Sequence, residues 1–391
     1  MAEVAAPLPI TMGETPKPPA QPVTMGETPK PPAQPVTMGE TPKPPAQPVA
    51  FPRVFEELAA GGALRAETLA AAFDAIFAGA WTAVQIAGFA VALRIRGEDA
   101  GTIAAAVEAM RRVMIPVEHG LPLVVDTCGT GGDGQHTINI STAAAIVVAA
   151  AGLPVAKHGN RSASSRAGSA DVIEAMGLPL NLPAAHHPAI LRAARITFLF
   201  APAHHPALRH AGPARSELAV RTIFNALGPI ANPARATHQL IGAYEDRLRP
   251  ILAETLGKLG SRHAWVVRGE DGLDEVSPFG PTRVSELVSG EVHERRIAPE
   301  DFGLEPARPG ALAGSDAAGN AARLLRILAG DDDPATGAVI LNAAAAIAVG
   351  REVTDAAGLR AAATEATEAL RSGEARRTFE SWRAACLASL K

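Results

Sequence analysis

Leu123-Val-Val-Asp-Thr-Cys-Gly-Thr-Gly-Gly-Asp-Gly134 passes from three apolar residues straight into a run of glycines. The apolar triplet Leu123–Val125 predicts a short buried strand, and Asp126 to His136 a loop. Ser141-Thr142 then open an apolar helix over Ala143–Ala151, and Pro154-Val155-Ala156 begins the next strand. Further strands are expected at Ile196–Ala201, His238–Tyr244 and His263–Arg268, with helices between them. Strand, loop, helix and strand in alternation give an α/β fold with a mostly parallel central sheet.

The loop contains Gly129-x-Gly131-x-x-Gly134, which in isolation matches a dinucleotide-binding fingerprint. That fingerprint needs its helix to open on the loop itself and an acid about 20 residues onward for the ribose. Here the helix opens only at Ser141, and the second strand carries a base, Lys157. Asp133 inside the loop would also repel a bare pyrophosphate unless a cation lay between them. A Walker P-loop is absent from the sequence. What remains is a glycine-rich nest whose backbone N–H groups face an anion. It is backed by a helix start bearing Asn139, Ser141 and Thr142. Lys157-His158-Gly159-Asn160-Arg161-Ser162 arrives at the carboxyl end of the neighbouring strand, where open α/β sheets bind ligands. These three devices within one short stretch point to a phosphorylated ligand.

Upstream the texture differs. Val54, Leu58, Leu64, Leu69, Phe73, Ile76 and Phe77, then Val84, Ile86, Phe89, Val91 and Leu93, follow helical spacing, and Thr102–Met114 forms another helix. Residues 51–120 therefore read as a small helical domain and 121–391 as the large α/β domain, with helices near 205–228 packing against the former. Residues 1–50 hold 14 of the 33 prolines and three unbroken copies of a 13-residue repeat starting at Thr11, Thr24 and Thr37. So many residues without a backbone donor and so few to bury predict a disordered, extended tail. Its Pro19-Ala-Gln-Pro22 spacing fits an SH3-type proline-motif partner, although a plain solvated spacer accounts for it as well.

Composition narrows the function classes. A net charge of −4 argues against nonspecific binding to nucleic acid, which relies on many Lys and Arg contacts. Two distant cysteines, Cys128 and Cys386, offer no disulfide framework and suit a reducing compartment. The apolar run from Ala143 to Ala156 is too short for a membrane span and contains Gly152 and Pro154. No secretory signal is visible, so a cytoplasmic location is expected.

Four blocks carry a more specific resemblance. GTGGDGQHTINIST (129–142), KHGNRSASSRAGSADVIEAMG (157–177), ELAVRTIFNALGPIANP (217–233) and DGLDEVSP (271–278) closely resemble the anthranilate phosphoribosyltransferase family in order and spacing. The resemblance covers about residues 51–391. It implies a helical domain joined to an α/β domain, a homodimer, and a Mg²⁺-dependent step of tryptophan biosynthesis. In that step phosphoribosyl diphosphate gives its sugar to anthranilate and releases diphosphate.

By position the resemblance places Gly129, Gly132, Asp133, Thr137, Asn139, Ser141 and Thr142 around the donor, completed by Lys157, Asn160, Arg161, Ser165 and Ser169. Ser141 would touch one metal ion and Asp274 with Glu275 another. Gly129, His158, Asn160 and Arg215 would meet anthranilate, with His158 a candidate proton acceptor. Cys128, where the family usually has a small apolar residue, and the tail are the departures.

The weaker signals read plainly. His186-His187 and His204-His205 lack a cysteine or carboxylate at zinc spacing, and in the family pattern the His204-His205-Pro206 turn borders the acceptor entrance. Asp331-Asp332-Asp333 reads as a solvated turn and helix cap, and Asn342 as a structural residue in a buried helix. Two other functions compete. A pyrimidine nucleoside phosphorylase would share the architecture without needing Arg215 as a carboxylate anchor. A silent nucleic-acid-binding paralogue would not need the loop, Lys157 or the acidic pair.

Overall fold

The computed structural model describes residues 48–61, 64–162 and 166–390. Residues 1–47 of the repeat tail and Ser165 lie outside these described residues. Helices α1 (Phe51–Ala59), α2 (Ala66–Phe77), α3 (Ala83–Arg96) and α4 (Ala100–Val113) come first. Their starts follow local chemistry. Thr82 and Gln85 form a capping box on α3, and Asp99 caps α4 by accepting from the Thr102 N–H. Val54, Phe73, Ile76, Ile86 and Phe89 are fully buried, whereas Val84 is 81% exposed. Val84 departs from the expected core because it stands two positions before Ile86 on α3, which turns it to the opposite side of the helix.

The chain then enters a seven-stranded sheet. Strand β1 (Val125–Thr127) leads through the glycine loop to α5 (Ile140–Ala150) and β2 (Val155–Gly159). Next come α6 (Ser169–Ala175), α7 (His187–Ala194), β3 (Ile196–Phe200), α8 (Ala201–His204), α9 (Gly212–Leu218) and α10 (Ile223–Ile230). Strand β4 (His238–Gly242), α11 (Leu248–Lys258) and β5 (His263–Gly269) follow, then the hairpin β6 (Thr282–Val288) and β7 (Glu291–Ile297). Four helices close the chain: α12 (Ala317–Leu328), α13 (Thr336–Arg351), α14 (Ala356–Arg371) and α15 (Glu374–Ala388).

The strand order is β3-β2-β1-β4-β5-β6-β7, with β3 through β5 parallel and the last two antiparallel. Strand β1 lies two residues further along than the triplet Leu123–Val125, because the sheet accepts a buried acid. Asp126 is fully buried and accepts from Asn232 Nδ2 at 2.7 Å and from the His158 N–H at 3.0 Å. A strand reading based on apolar residues stops at such a residue; a satisfied carboxylate lets the strand continue.

Alternation along the strands feeds two cores. Leu240, Trp265 and Val267 face α5, α13, α14 and α15, while Ile241, Ala264 and Val266 face α10, α11 and the first four helices. Helices α9 and α10 pack against α3 and α4. Helices α5 and α13 are apolar nearly all round and are buried against each other under the sheet. The carboxyl ends of β1, β2, β4 and β5 thereby open on one edge, where the glycine loop sits.

Candidate active site at the carboxyl edge of the sheet

Gly131, Gly132 and Gly134 hold φ of 67°, 76° and 80°, a left-handed backbone that side-chain-bearing residues adopt at a cost. These three glycines let the chain turn tightly after β1. Thr130 fastens the loop to the end of β4, its N–H donating to Gly242 O at 2.8 Å and its Oγ1 accepting from the Tyr244 N–H at 2.9 Å. On its far side the loop is fixed by Ile138, whose N–H donates to Leu312 O at 2.9 Å, and by the bridge between Thr137 and Ala313.

Lys157 stands at the centre. It is 2% exposed, and its ammonium donates to Thr127 O and, at 3.3 Å, to Ser141 Oγ. Ser141 also uses its backbone N–H, which donates to Glu275 Oε1 at 3.3 Å. The first turn of α5 therefore joins the buried cation to the acidic pair. Asp274 N–H donates to Asp133 Oδ2 at 3.3 Å, so a third carboxylate closes on the group. Burial pushes Glu275 up to about 7 despite the opposing charge of Lys157. Burial, with Asp133 and Glu275 adding repulsion, raises Asp274 well above the usual carboxylate range. Asp126, behind Lys157, is raised by burial to about 6. Four acids with one lysine among them are short of positive charge.

Gly129 lies against this group, where an added Cβ would be 3.1 Å from Asp274 Oδ2. Thr142 Oγ1 is buried and has no hydrogen-bond partner among the described residues. Asn139 is held from both sides, donating to Ala167 O at 3.2 Å and accepting from Asn320 Nδ2 at 3.1 Å. Asn160 Oδ1 accepts from the Arg161 N–H at 2.8 Å, and Ser169 Oγ donates to Asn160 O at 3.4 Å. Arg161 itself is paired with Asp171 at 2.8 Å and Glu174 at 2.9 Å, so its guanidinium leans on α6.

On the other side of β2, His158 Nδ1 donates to Gly228 O at 2.8 Å, since a carbonyl only accepts. That leaves Nε2 as the lone-pair nitrogen, buried and without a partner among the described residues. Burial and the neighbouring His205 hold the ring well below its usual pKa. The two rings meet edge-on with centroids 5.1 Å apart. His187 and His204 are likewise buried, 5.3 Å apart, and anchored to Thr197 Oγ1 and Ile115 O. Arg215 sits on α9, partly buried, with no hydrogen bond or ion pair to its guanidinium among the described residues. Burial lowers its pKa.

Sequence reasoning missed several partners. Arg221 stacks 3.8 Å over the Tyr244 ring and donates to Gly132 O, tying the segment after α9 to the glycine loop. Gly242 is required because a Cβ there would collide with Asp274 O. Gly314 likewise leaves room for the carbonyls of His136 and Thr137. Only Arg221 lies in a block quoted for the resemblance, and nothing in its spacing marks a partner so far away in the chain.

Family comparisons agree with this geometry. Residues 121–376 match the α/β domain of a glycosyl transferase family, and residues 52–114 match its helical bundle domain. The anthranilate phosphoribosyltransferase of Symbiobacterium thermophilum is 46% identical over 330 residues, 84% of this chain and 96% of that protein. That of Thiobacillus denitrificans is 49% identical over 304 residues, covering 77% and 87%. The chain belongs to the anthranilate phosphoribosyltransferase family. Its fold is shared with the crystal structure of the family member from Thermus thermophilus, at a TM-score of 0.79 and 39% identity over 85% of this chain and 99% of that one. The Saccharomyces cerevisiae enzyme in complex with PRPP and Mg gives a TM-score of 0.79 at 28% identity, covering 86% and 98%.

Proposed function

We propose that this chain transfers the phosphoribosyl group of 5-phosphoribosyl 1-diphosphate to anthranilate, giving N-(5-phosphoribosyl)anthranilate and diphosphate in tryptophan biosynthesis. The observation that carries the reading is the junction at Ser141, where a phosphate-binding helix start, a buried lysine and an acidic pair meet. Breaking the C1–O bond leaves an oxocarbenium-like sugar and a diphosphate gaining negative charge. Lys157, the N–H groups around Gly129, Gly132 and Asp133, and the start of α5 with Asn139, Ser141 and Thr142 stand ready for that charge. Thr137, Asn160, Arg161, Ser165 and Ser169 complete the donor site in this reading.

The site fits Mg²⁺. Asp274 and Glu275 are hard oxygen donors, raised above the usual carboxylate range by burial, with the like charge of Asp133 adding to it. When bound there, with Ser141 reaching a second ion, Mg²⁺ would screen the diphosphate. On the acceptor side Arg215 offers a planar fork, unpaired among the described residues, for the anthranilate carboxylate. Gly129, Asn160 and His158 line the junction of the two substrates. Forming the C–N bond turns the amine into a cation that must lose a proton, and in this reading His158 Nε2, neutral and unpartnered among the described residues, is the candidate acceptor.

Homodimer formation is supported by apolar residues left on the outer side of the first helices. Val84 and Ile95 on α3 are 81% and 80% exposed. The proline spacing of the tail supports an SH3-type partner, and the two distant cysteines support a cytoplasmic location. Among the described residues no helix is long and apolar enough to cross a membrane.

The test is the loss of anthranilate fluorescence on adding phosphoribosyl diphosphate and Mg²⁺. Full consumption that depends on both additions is expected. Protein that leaves anthranilate untouched but cleaves thymidine with phosphate would instead support the phosphorylase reading.

A further inference from the structure

Helix α13 is built almost wholly from alanine, valine, isoleucine and leucine, yet carries Asn342 at 0% exposure in its middle. Burying an amide costs free energy unless its hydrogen bonds are made. Its oxygen and its NH₂ group are both partnered, two of the three bonds by a single residue of another segment. Asn342 Oδ1 accepts from the Val276 N–H at 2.9 Å, and Asn342 Nδ2 donates to Val276 O at 2.9 Å and to Ala338 O at 3.0 Å. The side chain thus pairs with Val276 as a neighbouring strand would, in a connection that no strand accompanies.

Val276 directly follows Glu275. On the other side of the pair, Asp274 O rests against Gly242, and Leu273 O accepts from the Gly269 N–H at 2.9 Å. Three carboxylates, Asp133, Asp274 and Glu275, are gathered here, and left to themselves they would move apart. Helix α13 also packs along α5, whose first turn carries Ser141. One rigid helix therefore sets both Ser141 and the acidic pair.

We propose that Asn342 is a positioning residue for divalent-cation binding: by clamping Val276 it fixes Asp274 and Glu275 at a set reach from Ser141, so that the cation meets a preformed set of oxygens. This rests on the assignment of Asp274 and Glu275 to the metal. An amide that served only packing would leave cation affinity unchanged when replaced. A clamp would weaken it, because the acids must then be gathered against their repulsion each time an ion binds.

The test is a Mn²⁺ titration followed by electron paramagnetic resonance, with inorganic diphosphate present, on the full-length chain. Asn342→Leu keeps the branched outline without the amide, and Asn342→Ser, smaller and still polar, serves should the leucine variant not fold. Both are expected to bind Mn²⁺ about tenfold or more weakly, and excess Mg²⁺ should recover most of their turnover. Ile347→Ala, a cavity variant on the same helix, is the control for general loosening and is expected to keep the parent's affinity. Unchanged Mn²⁺ affinity in Asn342→Ser, or equal weakening in Ile347→Ala, overturns the inference. A parallel Asp274→Asn/Glu275→Gln variant separates the two layers: if it too binds Mn²⁺ normally, the metal assignment itself falls.

Discussion

Strand β5 links two groups of charge that behave in opposite ways. Near its start, Glu286 on the adjacent β6 accepts from His263 at 2.8 Å, from Trp265 Nε1 at 2.7 Å and from Arg295 at 3.1 Å. Burial alone would raise this carboxyl, but the donors outweigh it and hold Glu286 down at about 2. Beyond the end of β5, Asp274 and Glu275 have burial and like charge against them and are raised, Glu275 to about 7. Glu286 is buried and Asp274 and Glu275 are half-buried, yet it is the more buried carboxyl that is held down, because donors answer its charge. Where the demand is met, the fold has used a carboxylate to hold itself together. Where it is left open, the group has the character of a functional site rather than of a structural tie.

The largest expected effect breaks the open group. Asp274→Asn with Glu275→Gln keeps shape and removes two carboxyl groups, so turnover should fall by about a hundredfold or more, as when a preorganised electrostatic element is lost. The Mg²⁺ needed for half-maximal rate should rise. Melting temperature without ligands should stay level or increase, since repulsion is relieved. A parent-like rate and Mg²⁺ dependence in kinetic assays would mean that the pair is a turn and nothing more.

Arg215 sharpens the comparison on the acceptor side, as a partly buried charge left without a partner among the described residues. Arg215→Ala should raise the anthranilate KM roughly thirty- to a hundredfold, from about 2–3 kcal/mol of lost charge-assisted hydrogen bonding. The KM for phosphoribosyl diphosphate should change little. Steady-state kinetics with each substrate varied in turn decides it, and an unmoved anthranilate KM in a folded variant removes Arg215 from the acceptor site.

This contrast also explains what the sequence revealed. The open group was legible because its parts are local: a glycine run, a helix start and a lysine on the next strand fall within a short stretch. The starts of β3, β4 and β5 were readable, whereas β2 runs on past the expected Pro154-Val155-Ala156 through Lys157 and His158 to Gly159. The satisfied group was not legible, because its members lie on β5, β6 and β7 and declare themselves only once paired. The hairpin β6–β7 escaped notice for the same reason. Its inward residues include Ser285 and Glu286, which mask the apolar alternation that marks a strand. Gly242 and Arg221 were missed because their duties are to residues far away in the chain. The tail boundary needed the structure too. Trp81 Nε1 donates to Val49 O at 2.9 Å, so the folded part reaches back to Val49.

Glu286 supplies the smallest expected effect on catalysis and the clearest one on stability. Glu286→Gln keeps the volume but turns one acceptor oxygen into a donor facing Arg295, His263 and Trp265. At neutral pH it should cost on the order of 1–3 kcal/mol of stability while leaving turnover unchanged. The sign of the pH dependence follows from the direction of the shift. Glu286 titrates near 4.5 in the unfolded chain and near 2 in the folded one. Its contribution is therefore fully present above pH 4.5 and is lost as the pH falls from there towards 2, as the carboxylate takes up a proton. Urea denaturation across this window should show the parent losing stability on acidification faster than the variant, the two curves drawing together at low pH. A constant gap between them down to pH 2 would show that the stabilising element is packing around residue 286 and not its charge. The closed group would then be no more electrostatic than the apolar core beside it.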